Sequence, residues 1–150
     1  RESADGHELQ FAVNYLAGWV LVNKLRPNLA AAGSSLIVNV ASLQSVRAFG
    51  NSAPYGASKG GVMQLTRAQA EAWSRHGVNA NAIAPGFFPT ALTAPVFDDP
   101  VRAAAMAERT FVGRNGALED LAGTAVFLAS PASDFVTGQT IFVDGGFSAG

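Results

Sequence analysis

The sequence predicts an α/β fold built on a parallel sheet, and three observations carry that expectation. Residues 35–41 and 78–84 are nearly unbroken apolar runs, and a shorter one covers 140–143. Runs of this kind suit strands covered on both faces. Between them the apolar residues recur at helical spacing, beginning with Leu9, Val13, Leu16, Val20 and Leu21. Strands separated by helices need right-handed crossovers, and so pair in parallel.

Taken in order, Asp5 to Glu8 fits a capping box, with Asp5 as cap and Glu8 reaching back. A helix follows over 7–31, where Pro27 should kink it or start a separate last turn, and Gly33 should stop it. After the strand at 35–41 comes a loop rich in serine, glycine and asparagine. Pro54 then suits the first turn of a helix reaching His76 and closed by Gly77. The strand at 78–84 leads into a proline-rich segment, 85–99, which reads as a mobile lid. Short helices at 100–109 and 118–129 precede the last strand. No repeat or low-complexity linker interrupts the 150 residues, so one domain is expected.

Composition narrows the function. Half the residues are hydrophobic (49%), few are charged (14%), and the net charge is −1. A sizeable core is therefore expected, and no basic stripe suggests nucleic acid or an anionic membrane as partner. The absence of cysteine excludes disulfides, thiolate catalysis and zinc–thiolate sites. No apolar run reaches the length of a membrane span, so a reducing, cytoplasmic setting is the default expectation. His7 and His76 supply too few ligands for a metal site. Trp19 and Trp73 read as packing or interface residues.

The chemistry gathers at Tyr55-Gly56-Ala57-Ser58-Lys59. Residues four apart share a helix face, so Lys59 stands one turn from Tyr55. A free tyrosine has a pKa of about 10, and a nearby cation favours the phenolate, which makes the pair an acid/base with its tuner. On spacing alone the same pair also fits a solvated helix. Ser42 ends an apolar run thirteen positions before Tyr55. Both Ser42 and Pro85-Gly86 fall at the carboxyl ends of expected strands, where ligands bind in parallel sheets. Asn39, inside the first strand, reads as a structural asparagine bridging backbone groups.

These residues, with Val13-Asn14-Tyr15-Leu16, Asn81-Ala82-Ile83-Ala84-Pro85-Gly86, Thr90 and Val143-Asp144-Gly145-Gly146, resemble the short-chain dehydrogenase/reductase family in order and spacing. The resemblance runs from about Asp5 to Gly146. It implies a doubly wound, Rossmann-like sheet and transfer of hydride between NAD or NADP and an alcohol or carbonyl carbon. Within it Tyr55 is the proton donor and acceptor, Ser42 donates to the reacting oxygen, and Lys59 bonds the nicotinamide ribose. Asn14 helps to hold a water that relays protons to Lys59. Pro85, Gly86, Phe88 and Thr90 lie against the nicotinamide, with Gly86 letting the backbone approach the ring. Asp144-Gly145-Gly146 is implied to be a structural turn. Phe49, Phe87, Phe88 and Phe97 either line a substrate pocket or anchor loops on the core.

The chain starts at Arg1 and contains no glycine-rich phosphate turn, which the family carries after its first strand. The resemblance therefore implies the C-terminal part of such a subunit, with the adenosine half of the cofactor site outside residues 1–150. It also implies a homo-oligomer paired through the helices at 7–31 and 54–76, using Val13, Leu16 and Val20 on one and Val62, Leu65 and Ala68 on the other. The faint likeness of Pro85 to Thr90 to members acting on sugar acids suggests that substrate class. Two other readings remain at this point: an inactive module that keeps the site without the cofactor half, and the sugar-nucleotide epimerase branch, which shares Tyr-x-x-x-Lys.

Overall fold

The computed structural model describes all residues, 1–150, and has the expected parallel sheet. Its three strands are β1 (Ser35–Val40), β2 (Val78–Pro85) and β3 (Thr140–Val143), in spatial order β1-β2-β3 and all parallel. Register pairs Ile37 with Ala80, Val40 with Ile83, and Pro85 with Val143.

The first helix, α1, runs through Leu9–Phe11, a π-helical stretch Ala12–Leu16, and Ala17–Ala31. Two local expectations are corrected there. Glu8, not Asp5, is the cap, its carboxylate accepting from Phe11 N–H at 2.9 Å. Pro27 lies inside the continuous helix, and the departure from regular geometry falls around Asn14 instead. Gly33 ends the element with φ +75°, a backbone conformation that suits glycine.

Helix α2 (Ala53–Trp73), with a 3₁₀ turn at Ser74–His76, covers one face of the sheet. Its inward stripe is Ser58, Lys59, Val62, Leu65, Thr66, Gln69, Ala70 and Trp73, all buried, at helical spacing. Trp73 and Ala70 pack on Ile37, Val78 and Ala80, while Val62 packs on Ala41, Ala82 and Ala84. Val62 and Leu65 thus belong to the core, correcting their assignment to a subunit interface; Ala68 is exposed. The remaining helices are α3 (Ala94–Phe97), α4 (Pro100–Glu108) and α5 (Ala122–Leu128), the last preceded by a 3₁₀ turn at Leu118–Leu121.

β2 is the central strand and is almost wholly buried, as the apolar run predicts. β1 differs from its expectation of cover on both faces. Its Ile37 faces α2, whereas Val40 is 61% exposed and Val38 is also exposed. Asn39 differs too: its amide donates to Thr66 Oγ1 (2.9 Å) and Gln69 Oε1 (2.8 Å), side chains of α2 rather than backbone groups.

Asn81 fastens β2 to the approach of β3. It is fully buried, donates to the Val136 carbonyl at 2.7 Å and accepts from Gln139 N–H at 3.0 Å. Asn81→Leu keeps the branched shape but orphans both backbone groups, and each such loss costs on the order of 1–3 kcal/mol. We expect a stability loss of about 3 kcal/mol in denaturant titration, with the slope unchanged. An unaltered midpoint would show that the two backbone groups find other partners.

A second fastening lies on the surface. Arg114 grips Asp120 through two bonds, Nη1–Oδ2 at 2.6 Å and Nη2–Oδ1 at 3.0 Å, and Ala117 N–H adds a third to the same carboxylate. The Arg114 hydrogen bonds, then the backbone donor, hold the Asp120 carboxyl down to about 2. A lowered folded-state pKa contributes stability above the ordinary value of 3.8 that disappears as pH falls through about 2. Asp120→Asn should therefore lower the melting temperature at neutral pH and leave it nearly unchanged near pH 2. Equal losses at both pH values would contradict this origin.

Candidate active site

The site is built where β1 and β2 end beside the first turn of α2. Ala41 N–H bonds the Ile83 carbonyl at 2.8 Å, which carries the β1–β2 ladder up to Ser42. Ser42 then caps a 3₁₀ turn, Leu43–Ser45, its Oγ accepting from Gln44 N–H at 3.2 Å. That acceptor role leaves the hydroxyl hydrogen of Ser42 free to donate elsewhere. Ser45 Oγ donates to the Lys59 carbonyl at 2.8 Å, tying the turn to α2.

Pro54 lies in the first turn of α2, where its missing N–H costs no helix bond, and Tyr55 follows it. The Lys59 ammonium stands 5.7 Å from the centre of the Tyr55 ring, on the same side of the helix. It is buried and donates to the Val40 carbonyl at 2.7 Å, which leaves two donors uncommitted. Burial pushes the Lys59 ammonium below the usual lysine range.

Ser42, Tyr55 and Gly86 line one cavity of about 260 Å³, together with Gln44, Phe87 and Thr93. Thr90 is one hydrogen bond away, its hydroxyl 3.0 Å from that of Thr93. Pro85 ends β2 beside Val143. Gly86 has a further reason to be glycine beside the one the resemblance implies. A Cβ there would lie 2.8 Å from Asp144 Cα and 2.9 Å from its Cβ, so the glycine lets the ends of β2 and β3 close up.

Asn14 sits in the π-helical stretch of α1 and donates to Ser58 Oγ at 3.2 Å; Ser58 in turn donates to the Tyr55 carbonyl at 2.7 Å. It thus reaches the first turn of α2 through Ser58. Of the two alternatives the sequence leaves for Phe88, its ring takes the core-anchoring one. Its ring is buried against Gly116 and lines a separate cavity, of about 350 Å³, with Thr110, Val112 and Arg114. Its main-chain carbonyl accepts from the Thr93 hydroxyl, and Thr93 lines the cavity with Tyr55. Phe49, Phe87 and Phe147 form one aromatic cluster with centroids about 6 Å apart, and Arg109 lies 4.3 Å from the Phe147 ring. Asp144 is a turn former, as implied: its carboxylate accepts from Gly146 N–H and Ser148 N–H, both at 3.0 Å.

Sequence reasoning missed Ser58, Gln44, Thr93 and Val96. Ser58 lies inside the Tyr-x-x-x-Lys motif and Gln44 two residues beyond Ser42, so both carried a positional signal. Thr93 and Val96 belong to α3 and its cap, an element too short for periodicity to reveal.

The donors fit the nicotinamide end of a dinucleotide. An ammonium with two free donors and a threonine hydroxyl suit ribose hydroxyls and a carboxamide; Lys59 lies beside Tyr55 and Thr90 beside Thr93, both of which line the cavity. The sequence of residues 1–150 offers no glycine-rich turn for a diphosphate.

A family model described as enoyl-(acyl carrier protein) reductase matches residues 2–148. Gluconate 5-dehydrogenase of Gluconobacter oxydans (strain 621H) is 46% identical over 116 residues, which are 77% of this chain and 45% of that protein. The 2-dehydro-3-deoxy-D-gluconate 5-dehydrogenase of Escherichia coli (strain K12) is 45% identical over 121 residues, 81% of this chain and 48% of the relative. Among solved structures, a gluconate 5-dehydrogenase from Burkholderia cenocepacia J2315 in complex with NADP and tartrate superposes with a TM-score of 0.91 at 38% identity. It covers 100% of this chain and 61% of its own. The chain spans about half the length of the curated relatives it matches.

Proposed function

Since the chain belongs to the short-chain dehydrogenase/reductase family, we propose that its site interconverts an alcohol and a carbonyl with NAD(P), Tyr55 moving the proton. The observation that carries this reading is the single cavity shared by Ser42, Tyr55 and Gly86, with the Lys59 ammonium beside Tyr55. When bound, the nicotinamide cofactor takes up or supplies the hydride. Lys59, Thr90, Pro85, Gly86 and the main chain of Phe88 would hold its nicotinamide and ribose.

In oxidation the Tyr55 oxygen takes the hydroxyl proton of the substrate, and in reduction it returns it. Ser42 donates its free hydroxyl hydrogen to the same substrate oxygen and stabilises charge as it develops. The Lys59 ammonium, 5.7 Å from the Tyr55 ring centre, stabilises negative charge on the Tyr55 oxygen. Asn14 holds its stretch of α1 against Ser58, and main-chain carbonyls in a π-helical stretch leave the regular ladder. A water held there would connect Lys59 to solvent.

For the substrate we propose a sugar acid or related polyhydroxy acid, on the strength of the relatives' names and the mixed polar and apolar lining of the cavity. The test is reduction of NAD or NADP by the complete gene product with D-gluconate and related acids. Accumulating reduced cofactor is expected. No reduction with any hydroxy acid or secondary alcohol contradicts the reading.

Homo-oligomerisation through α1 and the outer face of α2 belongs to the same proposal. α1 contributes no buried residue and exposes Val13, Trp19 and Leu21. Sedimentation of the complete gene product should give a dimer or larger species at micromolar concentration, and a monomer would count against it.

A further inference from the structure

Gln44 stands in the cavity with the reacting pair, and its side chain is held there by a residue that gives up another task. Ser52 occupies the N-cap position of α2, where a serine hydroxyl ordinarily accepts from a helix N–H. Here it makes no such bond. Its Oγ lies 2.6 Å from Gln44 Oε1 and 3.2 Å from the Phe49 carbonyl, and the shorter contact takes its single hydrogen. With the carbonyl end of the amide engaged, the Gln44 NH₂ is left as a donor pair with no partner in the chain, in a cavity also lined by Ser42, Tyr55 and Ser52. The apolar part of the lining is Leu43, Phe87, Leu92 and Val96. The Gln44 main chain meanwhile donates to Ser42 Oγ, so the residue is coupled to the reacting centre through its backbone and faces substrate with its side chain.

We propose that Gln44 is a specificity-determining residue, its amide donating to a hydroxyl or carboxylate oxygen on the carbon next to the reacting one. This rests on the dehydrogenase reading of the site and narrows its substrates to vicinally oxygenated alcohols. A site built to hydrogen-bond a substrate oxygen rejects an analogue lacking it, because its own polar group is then left unpaired. Ser52 is the positioning residue, since it fixes which end of the amide faces the cavity.

The test compares 2,3-butanediol with 2-butanol, and D-gluconate in parallel, using the complete gene product and its variants. In Gln44→Leu the ratio of kcat/KM for the diol to that for the monool should fall about tenfold. KM for D-gluconate should rise by a similar factor. In Ser52→Ala the amide is present but unfixed, and the ratio should fall about threefold, again through KM. Ser52→Ala also carries the test should Gln44→Leu fail to fold. An unchanged ratio in the variants, or equal losses on both alcohols, overturns the role of Gln44 while leaving the dehydrogenase reading intact. A wild-type protein that oxidises no hydroxy acid or secondary alcohol overturns that reading itself.

Discussion

Tyr55→Phe in the complete gene product should lower turnover by about a thousandfold and leave cofactor affinity within about threefold. The substitution removes one oxygen, the one proposed to exchange the proton, and general acid–base groups contribute roughly 10²–10⁴ in rate. The ring remains beside Lys59 and the first turn of α2 keeps its geometry, so binding contacts persist. Steady-state rates and a cofactor fluorescence titration separate the two effects. Wild-type turnover in Tyr55→Phe would end the proposed mechanism.

Lys59→Ala should lose both turnover and cofactor binding, each by roughly a hundredfold or more. The change strips the charge beside Tyr55 and leaves the Val40 carbonyl without its 2.7 Å donor. Lys59→Met keeps the stem and isolates the charge, so it should repeat the loss of turnover. Stability moves in a defined direction with pH. Burial lowers the Lys59 pKa in the folded state below its ordinary 10.5. Between the lowered value and 10.5 the unfolded chain binds the proton more readily, so folding stability rises with pH across that window. Lys59→Met should flatten that rise in denaturant midpoints measured from neutral to alkaline pH. An identical rise in the variant would place its origin elsewhere.

The sheet was legible because period and length speak directly to strands: the apolar runs became β1, β2 and β3 within a residue or two. Tyr55, Ser42 and Gly86 were legible as one site because parallel strands deliver their carboxyl ends together. What misled were signals with two physical readings. Val62 and Leu65 are apolar helix residues that serve a core as well as an interface, and only the sheet's position decides between them. Gly86 carries a second requirement, set by Asp144 across more than fifty residues, that no local pattern encodes. Phe88 follows the same logic, since the space its ring fills is made by Gly116. The exposed face of β1 at Val40 was hidden because an apolar run states what could be covered, not what covers it. Gln44 was passed over because a loop glutamine carries no period, and its partner Ser52 looked like an ordinary helix cap.

The most direct measurement follows a deuterium label. A secondary alcohol substrate, deuterated on the carbinol carbon, is oxidised by the complete gene product, and the reduced cofactor and the solvent are examined by mass spectrometry. The expected result is label in the reduced nicotinamide, with the carbon-bound rate slowed by the heavier isotope and the hydroxyl proton alone reaching solvent through Tyr55. Label appearing in water, with unlabelled reduced cofactor or none, would contradict hydride transfer at this site.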